Sequence, residues 1–83
     1  MYFTVTATNG DFPHVGTILA ETSEELNLKL ALALCEHFNS EVTPPNITLD
    51  QCEYGKTFEI NVINPDDDVN SQQEIYIEKT WLF

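Results

Sequence analysis

Residues 56–83 read "KTFEINVINPDDDVNSQQEIYIEKTWLF". Near its start Phe58, Ile60 and Val62 alternate with Thr57, Glu59 and Asn61, and near its end Ile75, Ile77, Trp81 and Phe83 fall on one side. Successive side chains of a strand leave opposite faces, so this period of two predicts two half-buried strands. Asn64-Pro65 opens a turn between them, which places Asp66, Asp67 and Asp68 in the loop of an antiparallel hairpin. A hairpin that is apolar on one side only is stable when a second layer covers that side.

The covering layer is legible upstream in "ETSEELNLKLALALCEHFN", residues 21–39. Thr22 followed by Glu25 fits a capping box, and Glu24 and Glu25 sit where the helix dipole favours negative charge. At 100° per residue Leu26, Leu30, Ala33, Leu34 and Phe38 share the face expected to pack on a sheet. Leu28, Leu32 and Cys35 form a second stripe that the same sheet does not easily cover. Before the helix, "YFTVTAT" alternates Phe3, Val5 and Ala7 against Tyr2, Thr4 and Thr6, Asn9-Gly10 favours a tight turn, and "HVGTILAE" is a return strand. Ser40 to Gly55 carries Pro44-Pro45 and reads as a connection with a short strand at Ile47 to Leu49. The expected fold is α+β: a single domain over residues 1–83, order β-β-α-β-β, with one helix on one face of an antiparallel sheet. Its expected core contains Phe3, Val5, Leu30, Leu34, Phe38, Phe58, Ile60, Ile77 and Trp81.

Charge is the outstanding compositional feature, with fourteen acids against three lysines, no arginine and a formal net charge of −11. Such a chain repels phosphates, which argues against direct binding of nucleic acid or of an anionic membrane and for a basic protein surface as partner. Residues 36 to 78 hold ten of the acids and one lysine. The start of the chain lacks the basic region and apolar block of a secretory signal, and no apolar run approaches the ~20 residues of a membrane span, so a cytoplasmic protein is expected. Two cysteines, Cys35 and Cys52, are too few for a disulfide framework and are read as free thiols.

Candidate chemistry is thin. Asp66, Asp68 and Asn70 match the first three ligand positions of a helix–loop–helix calcium motif, but Ser71 replaces its glycine and Ile77 its bidentate glutamate. His14, Cys35, His37 and Cys52 have the composition of a zinc site, yet Cys35 and His37 are two apart on a helix and their side chains diverge. No nucleophile elbow and no phosphate-cradling glycine loop is present. The sequence therefore predicts no metal, no cofactor and no enzymatic activity. The function expected is an acidic interaction module that binds a basic protein surface through Glu41, Asp50, Glu53, Glu59, Asp66, Asp67 and Asp68. A small inhibitor or nucleic-acid mimic acting on a nucleic-acid-handling protein would have this character, by analogy with the antagonists of host defence that mobile elements deploy. The alternative is a structural protein that self-associates through Leu28, Leu32 and Cys35 into a homo-oligomer.

Overall fold

A computed structural model describes residues 1–8, 14–64 and 69–80. The fold is α+β, with five antiparallel strands in the order β2-β1-β5-β4-β3 and one helix. Tyr2–Ala7 (β1) and His14–Leu19 (β2) form the first hairpin, and Lys56–Asn64 (β4) and Val69–Thr80 (β5) form the second. β1 lies between β2 and β5, so the two hairpins join side by side. The register sets Val5 against Ile77 and Ile77 against Lys56, and this aligns the apolar sides of both hairpins on one face. The β1–β2 register shifts between Val5 and Thr6, opposite Gly16, whose φ of 155° suits glycine. Asn9-Gly10, Asp66, Asp67, Asp68, Trp81 and Phe83 lie outside the described residues.

The helix, Ser23–Phe38 (α1), begins at Thr22, whose hydroxyl accepts the Glu25 N–H at 3.1 Å. Only that half of the capping box forms, because the Glu25 carboxylate turns to Lys29 one helical turn on, at 3.1 Å. The helix ends at Asn39 in the left-handed conformation with φ 51°, a frequent stop signal. Leu26, Leu30 and Leu34 are fully buried against Phe3, Val5, Ile18, Ile60, Val62, Ile75 and Ile77. Phe38 and Phe58 are only partly buried at the margin of this core.

The connection between helix and second hairpin differs from its sequence reading. The short strand is Glu41–Val42 (β3), paired with Ile63 and Val62, and not Ile47 to Leu49. Ile47 is bonded instead to a side chain. Its N–H donates to Asn27 Oδ1 at 2.9 Å, and its carbonyl accepts from Asn27 Nδ2 at 2.8 Å. The helix amide thus takes the place of a neighbouring strand, and Ser23 Oγ accepts the Leu49 N–H at 3.2 Å beside it. A single 3-10 turn at Asp50–Cys52 then buries Cys52 in the core before β4 begins.

Candidate functional site

Strand alternation leaves one face of the sheet to the helix and, among the described residues, the other uncovered. From the register, this uncovered face carries Tyr2, Thr4 and Thr6 of β1, His14, Thr17 and Leu19 of β2, Thr57, Glu59, Asn61 and Ile63 of β4, and Gln72, Glu74, Tyr76, Glu78 and Thr80 of β5. Glu41 joins it through its pairing with Ile63. Threonines and a tyrosine alternating with buried aliphatics are what a solvated sheet face has. The placement of charge is less ordinary. Glu41, Glu59, Glu74 and Glu78 all stand on this face, and all three lysines of the chain stand off it. Lys29 is on the helix, while Lys56, opposite Ile77, and Lys79, opposite Phe3, have the parity of the core side.

Glu59 and Glu74 are direct cross-strand partners. The Glu74 carbonyl accepts from the Thr8 N–H at 3.0 Å, so its main-chain groups serve β1, and its pair with Glu59 is of the closely approached kind that exchanges no backbone bonds. Two carboxylates so placed repel each other. Part of the local structure answers this charge: the Thr8 hydroxyl donates to the Glu74 carbonyl at 3.1 Å and lies 3.3 Å from its carboxylate. Further along β5, burial, the charge of Glu78 and a hydrogen bond to its carboxylate raise the Tyr76 phenol above its usual pKa. The Tyr76 hydroxyl lies over Gly55, whose φ of 85° and lack of a Cβ make room for it.

The structure divides the acids singled out in the sequence. Glu41 and Glu59 share the open face, whereas Asp50 and Glu53 sit on the opposite side of the sheet, lining a hollow with Met1, Leu49 and Lys79. Asp66, Asp67 and Asp68 fall outside the described residues. Glu74 and Glu78 join Glu41 and Glu59 on the open face; neither is among the partner-binding acids expected from the sequence, although the alternation of both with Ile75 and Ile77 marks them as outward-facing. Of the second helix stripe, Leu28 and Leu32 are 68% and 64% exposed, while Cys35 packs partly against the core. Cys52 is fully buried, and burial pushes its thiol up to about 11, far from a nucleophile at neutral pH. His37 meets Phe38 edge-on at 4.9 Å. Among the described residues no group of three or more His, Cys, Asp or Glu side chains could hold a metal, and no helix is long and apolar enough to cross a membrane. No protein family, curated protein or solved structure matches the chain.

Proposed function

We propose that this chain is a non-enzymatic interaction module whose open sheet face engages a basic protein surface. The observation that carries the reading is the segregation of charge: four glutamates on one face and every lysine away from it. A face of one sign attracts the opposite sign and rejects its own, which steers encounter with a cationic partner and disfavours phosphate. An inhibitor or nucleic-acid mimic directed at a cytoplasmic nucleic-acid-handling protein fits this chemistry, since such proteins present basic surfaces. The test is co-purification from the source cell with wild type and with Glu59→Gln/Glu74→Gln/Glu78→Gln as bait, at low and moderate salt. A partner held by the wild type, weakened by salt and lost with the variant is expected; a partner retained equally by both baits refutes the reading.

A second reading, self-association, is favoured by Leu28 and Leu32, two exposed leucines one helical turn apart on the outer side of α1. In a two-fold interface each would be used twice. Sedimentation as a monomer at high concentration would exclude it.

A further inference from the structure

The two outer edges of the sheet end differently. At β2, Lys29 Nζ reaches the Leu19 carbonyl at 2.6 Å and caps part of that edge. At β4, the neighbour is β3, which stops after Val42, with one more bond from the Thr43 N–H to the Asn61 carbonyl at 3.0 Å. That bond and the Thr8–Glu74 bond fix the same parity: Asn61, Glu59 and Thr57 aim their main-chain groups away from β5 and toward the β3 side. Continuing the β3 register would set Pro45 opposite Glu59, and proline has no N–H to offer the ladder. Asn27 draws the chain up to the helix instead. Among the described residues, no main-chain hydrogen bond from a turn or loop reaches the N–H or C=O of Thr57 or Glu59. A groove of about 280 Å³ opens here between Pro44, Pro45, Glu59 and Ile60.

We infer that the β4 edge over Lys56–Ile60 takes up an extended cationic segment of a partner protein as an added strand. The inference rests on the acidic-face reading and specifies how the partner is held. Strand addition uses main-chain bonds for affinity and alternate side chains for selection. On the open face the incoming side chains stand beside Glu59, with Glu74 one strand further in, which selects lysine or arginine. On the other face they stand beside Phe58, only partly buried at the core margin, which selects an apolar residue. The segment recognised is therefore one that alternates basic and apolar residues. A second copy of this chain is a poor occupant, because antiparallel pairing of two such edges brings the Glu59 carboxylates together.

The test uses a seven-residue peptide of alternating lysine and valine, with two relatives N-methylated on the lysines or on the valines. Methylation removes the amide donors of one peptide edge and keeps every charge. The parent peptide should bind at low salt and slow hydrogen exchange at the Thr57 and Glu59 amides. One methylated peptide should bind about tenfold more weakly and the other should retain affinity. Thr57→Pro, which removes an outward donor from an edge strand, should weaken the parent similarly with its melting temperature checked in parallel. Equal binding by all three peptides, equal weakening of both methylated ones, or binding without amide protection overturns strand addition and leaves the acidic face standing. No binding by the parent at low salt overturns both. Protection that grows with protein concentration in the absence of peptide assigns the edge to a second copy and also overturns the proposal.

Discussion

Asn27 shows how much of this fold hangs on single side chains. Its amide makes both main-chain bonds of Ile47 and also donates to the Ser23 carbonyl at 2.9 Å, so with the Ser23 hydroxyl at Leu49 it holds the connection onto the helix. Asn27→Ala leaves a partly enclosed N–H and carbonyl without partners, and it should cost about 1–3 kcal/mol in chemical denaturation. Cys52 supplies a pH-dependent counterpart. Burial favours its neutral thiol, and the nearby Lys56 charge offsets this only in part. Its pKa rises from 9.0 to about 11 on folding, so between these values the unfolded chain has released the proton while the folded chain keeps it. The stabilisation is complete below about pH 9 and is lost as the pH climbs toward 11. Melting curves over this range should fall more steeply for wild type than for Cys52→Ala, and Cys35 should be alkylated before Cys52 in the native protein.

At the scale of elements, legibility followed periodicity. β1, β4, the end of β5 and α1 each repeat their apolar spacing several times, and each is found where that spacing predicts. β3 has two residues and the 3-10 turn three, too short for any period to show. The Ile47 segment looked strand-like because it is apolar and β-branched, but its ladder partner is a side-chain amide that no local pattern announces. The site was legible to the same degree: alternation marks which glutamates point outward, while their convergence on one face follows from the order in which distant strands pair. α1 separates its two stripes cleanly. Leu34→Ala empties a fully buried position and should cost about 2–5 kcal/mol. Leu32→Glu, on the exposed side, should change monomer stability by less than about 0.5 kcal/mol. Comparable losses at both sites in urea titrations would mean that the outer stripe is covered in solution, as the self-association reading requires.

For the whole molecule, a net charge of −11 sets a general repulsion that salt screens, with a Debye length of about 10 Å at 0.1 M. Asp66, Asp67 and Asp68, three like charges in succession, add to it: neutralising them to asparagine should leave stability unchanged or slightly raised in thermal melts. Glu59 and Glu74 place two like charges at one cross-strand pair of exposed residues. Relieving their repulsion takes only one neutral partner. Glu59→Gln and Glu74→Gln should therefore each stabilise by ~0.2–1 kcal/mol at low salt, and the double change should gain less than the sum of the two. Raising sodium chloride from ~10 to ~150 mM should lift the melting temperature of wild type more than that of the double variant, because the variant has already lost the term that salt would screen. An additive double-mutant cycle, or an equal salt response in both proteins, would show that the two carboxylates do not sense each other. The same cycle bears on recognition, since a cationic partner that neutralises the pair recovers the repulsion stored there when it binds, and the glutamine variants that are more stable alone should bind it more weakly.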